Sequence, residues 1–266
     1  MLEKQKKLNG CRFQDKYKKK YLTFEALERG IISFNIWGSM GTDMITSISY
    51  STDDGETWTT TNNTDNKREH LAIDVRVDQG DKVLWKGNAT QTGYYDDDYR
   101  DYVGSFFSSD CGFNTYGNVM SLLYGDDFYN NKNLGNTEGT FAHLFSDYDG
   151  RKICVVVSAQ NLILPATTLT TNCYQNMFRS CTSLTTAPVL PATTLVNSCY
   201  KYMFQGCSNL NYIKAMFTTT PSTTYTQNWV SGVASTGTFV KNSAAQWNVT
   251  GTYGIPSGWT VQTANE

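Results

Sequence analysis

The stretch LPATTLTTNCYQNMFRSCTSLTTAPV, residues 164–189, is followed directly by LPATTLVNSCYKYMFQGCSNLNYIKA, residues 190–215. Matching residues lie 26 positions apart throughout, as Cys173 and Cys199 do. A period of roughly 20–50 residues is typical of a supersecondary unit that buries its apolar face only against its neighbours. The sequence therefore predicts a stack of such units.

Within each unit, the residue pattern predicts one short helix and one short strand. The spacing i, i+4, i+5, i+8 is typical of one helix face and is followed by Cys173, Met177, Phe178 and Cys181. Asn172 and Ser198 precede that face and are predicted N-caps. The Thr-rich stretch 184–190 ends before Pro191 and predicts a strand. The predicted repeat core comprises Cys173, Met177, Phe178, Cys181, Leu184, Cys199, Met203, Phe204, Cys207 and Leu210.

A degenerate third copy is predicted just before these two, at residues 141–163. Phe145 matches Phe178 by its place in the unit, and VVSAQNLIL leads into Pro165 as LTTAPVL leads into Pro191. This copy carries an insertion near residues 147–152.

The repeats resemble the BspA-like leucine-rich repeats, which occur in surface proteins of gut Bacteroidetes, in some protists and in phages of gut bacteria. The segments MFRSCTSL and MFQGCSNL carry the resemblance, which covers residues 141–215. The unit is longer than is usual in that family. The segment GTFVKN…GIPSGWTV, residues 237–261, also resembles the terminal part that follows such repeats. The resemblance implies a leucine-rich-repeat fold and, since members are mostly adhesins or binding proteins, a role without catalysis.

The N-terminal half alternates apolar and polar residues as half-buried strands do. The segments are YLTFEAL, IISFNIW, ITSISYS, TWTTT, LAIDVRV and KVLWKG, and residues 104–123 are predicted to add two strands. Short strands at this density predict an antiparallel β-sandwich. The predicted fold is mainly β with short helices: a basic tail at 1–20, a β-sandwich domain at 21–119, a leucine-rich-repeat solenoid at 120–215 and a C-terminal cap at 216–266.

The segment STDDGETW, residues 51–58, matches the Asp-box pattern S-x-D-x-G-x-T-W. Because strand-like segments flank it, Asp53 and Gly55 are predicted to form a hairpin turn, with Trp58 packed beneath. Asp-boxes recur once per blade in sialidase propellers, away from the active site. A single copy therefore predicts a structural hairpin and leaves a carbohydrate-active enzyme as a weaker alternative.

The run GYYDDDYRDY, residues 93–102, carries the densest set of functional side chains. Its adjacent aspartates offer oxygens of the kind that Ca²⁺ binds, although their spacing is not that of an EF-hand. A loop rich in Tyr also suits recognition of sugars or proteins, and a solvated loop between strands is the third interpretation. The predicted binding residues are Tyr94, Tyr95, Asp96, Asp97, Asp98, Tyr99 and Tyr102.

The seven cysteines are predicted to be buried free thiols. Cys173 and Cys199 occupy equivalent positions, so stacked units would place them in ladders, where Cys behaves as a small hydrophobe. Disulfides and a metal site are the alternatives. No C-x₂₋₄-C pair is present and His70 and His143 are isolated, which disfavours zinc. We expect neither a metal nor a cofactor.

Known catalytic motifs are missing from the sequence: it contains no H-E-x-x-H, G-x-S-x-G or P-loop, and we expect no enzyme. The net charge of −2 gives no sign of a nucleic-acid partner. Without a run of about 20 apolar residues, no membrane span is expected.

The charge distribution indicates a protein partner. Residues 1–20 carry eight basic and two acidic side chains, whereas the other residues carry 14 basic and 22 acidic ones. A basic tail on an acidic body favours docking onto an acidic assembly. The N-terminus lacks the apolar segment of a secretion signal. We therefore expect a phage virion component, a head or tail fibre or a decoration protein, that presents a binding surface to the host. A secreted or surface-anchored bacterial adhesin is the alternative. A host surface glycan or protein and a second copy are further expected partners.

Overall fold

The computed structural model describes residues 17, 19–36, 47–62, 71–89, 92–96, 101–135, 137–146 and 152–264. The chain is mainly β with several sheets and short helices, which confirms the predicted class. The strands are β1 Leu22–Ala26, β2 Gly30–Ile36, β3 Ser47–Ser51, β4 Thr59–Asn62, β5 Leu71–Val77, β6 Lys82–Gly87, β7 Gly93–Asp96, β8 Asp101–Gly104, β9 Phe106–Ser109, β10 Phe113–Asn118, β11 Val156–Ile163, β12 Tyr212–Ala215, β13 Thr238–Lys241 and β14 Thr260–Thr263. The helices are α1 Ser121–Tyr124, a 3₁₀ turn at Gly125–Asn130, and α2 Thr223–Thr226.

The N-terminal strands form two larger sheets. One has the order β11-β10-β1-β6-β3-β4 and the other the order β5-β2-β9. Every pairing within them is antiparallel except the β10–β11 pair, which is parallel. In β1, Leu22, Phe24 and Ala26 are buried because alternate residues of a strand share one face.

Aromatic rings from both sheets meet in one core. The Phe107 ring of β9 has its centroid 4.6 Å from that of Phe24 in β1 and 5.1 Å from that of Trp85 in β6. Phe34 of β2 lies 4.6 Å from the same ring. All four side chains are fully buried, so these rings fill the space between the sheets.

Strand β11 joins this region to the repeats. It pairs with β10 on one side, while on the other Ser158 forms a parallel bridge to Thr186, which bridges in turn to Tyr212 of β12. Strands β12, β13 and β14 continue the parallel series. The core is also continuous, because the Phe145 ring lies 5.8 Å from Phe107 and 4.8 Å from Phe178.

Backbone hydrogen bonds run from each repeat unit, here called a layer, to the next. The first four layers are residues 141–163, 164–189, 190–215 and 216–241. In the second layer every second N–H donates to a carbonyl of the third at 2.7–3.1 Å; the donors are Asn172, Tyr174, Asn176, Phe178 and Ser180. The N–H groups between them close local turns, as that of Met177 does on the carbonyl of Tyr174.

The helix predicted inside each layer is wrong. Residues 171–180 and 197–206 are successive turns. A left-handed residue recurs every fourth position, with φ of 57° at both Asn172 and Asn176 and 62° at Ser180. That conformation interrupts a right-handed helix, and the N–H groups that a helix would use bond to the next layer. Asn172 and Ser198 are therefore turn residues, not N-caps.

The strand predicted at 184–190 is reduced to single bridges at Thr186 and Leu190. Pro188 interrupts the segment because proline has no N–H to donate to a ladder. The equivalent residue of the next layer is Lys214, and there strand β12 forms.

The layer geometry extends beyond the two matching sequence units on both sides. In the first layer, the N–H groups of His143 and Phe145 donate to carbonyls of the second. In the third layer, those of Tyr202 and Phe204 donate to Gln227 and Trp229, within the segment assigned to the C-terminal cap. The 26-residue register thus continues through β13, whose Thr238 pairs with Tyr212.

Candidate binding surfaces

The two ends of the Tyr- and Asp-rich run pair as antiparallel strands, with Asp96 of β7 opposite Asp101 of β8. A solvated loop was one of the three interpretations of this run, and its two ends are instead strands. The predicted binding residues Asp97, Asp98 and Tyr99 lie outside the described residues. The same holds for the side chains of Tyr94, Tyr95, Asp96 and Tyr102.

The Asp-box forms a closed hairpin corner. The Asp53 carboxylate accepts hydrogen bonds from the Thr57 N–H at 2.9 Å, the Thr57 hydroxyl at 2.6 Å and the Ser51 hydroxyl at 2.7 Å. These bonds, led by the one from the Thr57 hydroxyl, lower the pKa of Asp53 to about 2. Asp54 and Gly55 supply the two positive φ angles of the turn, 57° and 92°. The oxygens of Asp53 are thus engaged within the turn.

A cluster of aromatic and charged side chains holds the Asp-box against the sheet. The Lys86 Nζ lies 4.1 Å from the centroid of the Trp58 ring and 2.8 Å from Oδ1 of Asp126. The Tyr21 hydroxyl donates to the same oxygen at 2.7 Å, and burial together with this bond raises the pKa of Tyr21 to about 12. Each of these polar groups has its partner inside the cluster. The cluster is therefore a structural element.

A groove of about 460 Å³ lies where the repeats meet the 3₁₀ turn. Pro165, Val189 and Pro191 contribute apolar walls, and Asn130 and Lys132 contribute polar groups. Tyr129, which is 44% exposed, also lines it. Its mixed lining suits a small polar ligand with one apolar face.

All ten side chains predicted for the repeat core are buried. The Cys181 thiol donates to the carbonyl of Phe145 at 3.1 Å, and the Cys207 thiol donates to that of Phe178 at 2.9 Å, so equivalent cysteines make equivalent bonds. Burial raises the pKa of all four repeat thiols, for Cys199 to about 12. The six described cysteines are free of disulfides.

The second and third layers share their Cys, Tyr, Met, Phe and Leu core residues and differ at the positions between them, of which Gln175 and Asn176 are also buried. The residues CY, MF, C and L recur at 173–174, 177–178, 181 and 184 and again 26 positions later. The pairs between them change from Gln175–Asn176 to Lys201–Tyr202, and from Arg179–Ser180 to Gln205–Gly206. The stack thus keeps one core and varies the residues that alternate with it.

Within the body of the protein the acidic residues lie almost entirely before residue 152, a feature that the sequence interpretation missed. Residues 152–265 contain five basic side chains and no Asp or Glu. Lys152 donates to Oδ1 of Asn35, and Lys241 donates to the carbonyl of Trp247 and to Asn248. Arg179 and Lys201 have no such acceptor within the described part of the chain. The sequence feature that could have revealed this is the lack of Asp and Glu between Arg151 and Glu266.

Arg179 and Lys201 converge on Tyr202. The guanidinium carbon of Arg179 lies 5.8 Å from the centroid of the Tyr202 ring, and Lys201 Nζ lies 5.2 Å from it. The three residues belong to adjacent layers and are at least partly exposed. Together they form the cationic tyrosine patch.

Comparisons with known proteins add no relative: no family model, curated protein or solved structure matches the chain. Among the described residues, no group of three or more His, Cys, Asp and Glu side chains is arranged to hold a metal ion. No helix in that part of the chain has both the length and the apolar content to cross a membrane.

Proposed function

We propose that this is a non-catalytic structural and adhesion protein, in which a β-sandwich carries a leucine-rich-repeat solenoid that presents a binding surface. The observation that carries the proposal is the contrast between constant and variable positions of the layers. One backbone position has the same left-handed conformation in four successive layers, with φ of 62°, 57°, 56° and 50° at His143, Asn176, Tyr202 and Asn228. The side chain at this position is buried in the first two layers and partly exposed in Tyr202 and Asn228. A scaffold that repeats its backbone while changing its outer side chains is suited to recognition.

The interior of the layers supports a surface role. Cys, Met, Phe and Leu side chains fill the core of the second and third layers and are buried. The thiols, which are the most nucleophilic groups there, have raised pKa values because they are buried. Groups available for contact therefore lie on the outside of the stack, at the groove beside Tyr129 and at the cationic tyrosine patch.

The proposed place of the protein is a phage virion, as a head or tail fibre or a decoration protein. The basic segment at 1–20 and the resemblance of the repeats support it. The described end of that segment touches the body, since Tyr17 lies 5.1 Å from the Tyr116 ring and Lys19 lies 4.7 Å from the Tyr129 ring. A secreted or surface-anchored adhesin is the competing proposal.

Fractionation tests the placement. Particles purified from a culture of the organism that carries the gene, washed intact cells and medium are probed with an antibody against the full chain. A virion component is recovered in stoichiometric amounts with the particles. Recovery on intact cells, in a form that external protease removes, would establish the adhesin and overturn the virion placement.

A further inference from the structure

Tyr202 is an unusual residue for its left-handed backbone position, at which its φ is 56°. For a bulky L-residue the left-handed region is strained, whereas Asn tolerates it because its short polar side chain bonds locally. The equivalent residues in the neighbouring layers are Asn176 and Asn228. The fold at this position therefore accepts Asn, and tyrosine is the less favourable choice for stability. Strained residues of this kind cluster where a site needs them.

The charges around Tyr202 are a second, independent observation. Arg179 and Lys201 stand 5.8 Å and 5.2 Å from its ring centroid, and no carboxylate of the described residues lies within ion-pair distance of either. The chain from 152 to 265 offers none, because it lacks Asp and Glu. Both cations lie beside the same ring without an anionic partner among the described residues, so an anion that binds next to the ring is attracted by both.

The surroundings of the patch are polar. The outward pairs of the third and fourth layers are Gln205–Gly206, Gln227–Asn228 and Ser231–Gly232. Amide side chains donate and accept hydrogen bonds at once, which suits hydroxyl groups. These residues do not form an apolar pocket of the kind that anchors a peptide side chain. The expected partner is therefore anionic, to bind the two cations, and rich in hydroxyl groups, to bond to the amides and contact the aromatic ring.

We infer that Arg179, Lys201 and Tyr202 form a binding site for an acidic saccharide. Its carboxylate or sulfate accepts hydrogen bonds from the Arg179 fork and from Lys201 Nζ. The Tyr202 ring supplies a contact surface and its hydroxyl a hydrogen bond. This inference rests on the proposed role as a binding protein and gives that role a ligand class.

The test uses full-length variants in which each residue of the patch is replaced, one at a time, by the equivalent residue of the other of the two matching layers. Arg179→Gln copies Gln205, Lys201→Gln copies Gln175 and Tyr202→Asn copies Asn176, so each variant retains a residue that the layer already accommodates. Lys214→Gln, on strand β12, removes the same charge away from the patch. Binding is measured by calorimetry with oligogalacturonate, with sulfated dextran, with neutral dextran and with polyglutamate. Thermal unfolding is recorded in parallel.

We expect binding to one of the two acidic saccharides and none to neutral dextran. Each patch variant should weaken it at least tenfold, and Lys214→Gln by less than twofold. Tyr202→Asn should keep or raise the unfolding temperature, an outcome that a merely structural tyrosine would not give. The saccharide that binds tells carboxylate from sulfate as the anionic group.

Three results would overturn the inference: no binding to either acidic saccharide, unchanged binding by Tyr202→Asn, or equal binding of polyglutamate, which would mean that charge alone is recognised. None of these results contradicts the proposal of a virion protein if the protein still purifies with particles. Conversely, saccharide binding by a protein found only on cells would leave this site intact and remove the virion placement.

Discussion

At the residue scale, the buried thiols connect the repeat sequence to a measurable chemistry. Cys173, Cys181, Cys199 and Cys207 occupy two equivalent positions, and each is at most 1% exposed. Burial disfavours the thiolate and raises the pKa of each. They pack as small hydrophobes, and native protein should react with a thiol reagent at these positions only after denaturation.

The raised pKa values predict a loss of stability at alkaline pH. Above the pKa of about 8.5 of an unfolded thiol, the unfolded chain releases protons that the folded protein retains. The contribution of the thiols to the free energy of unfolding is therefore constant below that pH and falls above it, by about 1.4 kcal/mol per pH unit for each thiol until its folded pKa is reached. Urea unfolding between pH 7 and pH 10 checks this, with Cys207→Ala as the control whose pH slope should be shallower. Equal stability at both limits would contradict it.

At the element scale, stacked rings determine how the layers hold one another. Phe178 lies between Phe145 at 4.8 Å and Phe204 at 5.7 Å, in planes that differ by 5° and 18°. Removing a buried ring leaves a cavity that a backbone bonded on both sides cannot close.

We therefore expect Phe178→Ala and Phe204→Ala each to lower the free energy of unfolding by about 3–5 kcal/mol. Since each ring contacts both neighbouring layers, the whole stack should lose protection from hydrogen exchange together. Phe178→Leu, which retains most of the apolar volume, serves as the control with a smaller loss. A loss below about 1 kcal/mol in both alanine variants would exclude a core position for these rings.

What the sequence predicts at this scale depends on whether the determining contacts are local. The strands around Phe24 and Trp85 follow from alternation, and the Asp-box turn follows from Asp53 and Gly55. The turns at 171–180 do not, because their spacing of four residues imitates a helix face in sequence and differs from it only in where the N–H groups bond. That choice is made by the neighbouring layer. The cationic tyrosine patch likewise joins residues of two layers, so no single unit reveals it.

At the scale of the whole molecule, the basic tail is the feature on which assembly is predicted to depend. Residues 1–16 carry five basic side chains, while Tyr17 and Lys19, which follow, contact the body. Deleting residues 2–16 should therefore leave the unfolding temperature unchanged and abolish incorporation into particles. Particle recovery of the truncated protein is the measurement, and a full-length variant with Gln at the five basic positions tests whether charge is responsible. Normal incorporation of the truncated protein would remove the tail as an anchor.

The 26-residue register has a consequence for how such a chain can change length over generations. The second and third layers each hydrogen-bond to the layer before and to the layer after. The boundary between Val189 and Leu190 joins two copies that are identical at 12 of 26 positions. Unequal recombination at that boundary adds or removes a whole layer while every remaining layer keeps its usual neighbours. Related chains should then differ in length by multiples of 26 residues at this boundary. The distance between the N-terminal sheets and the fourth layer would change by the thickness of one layer each time.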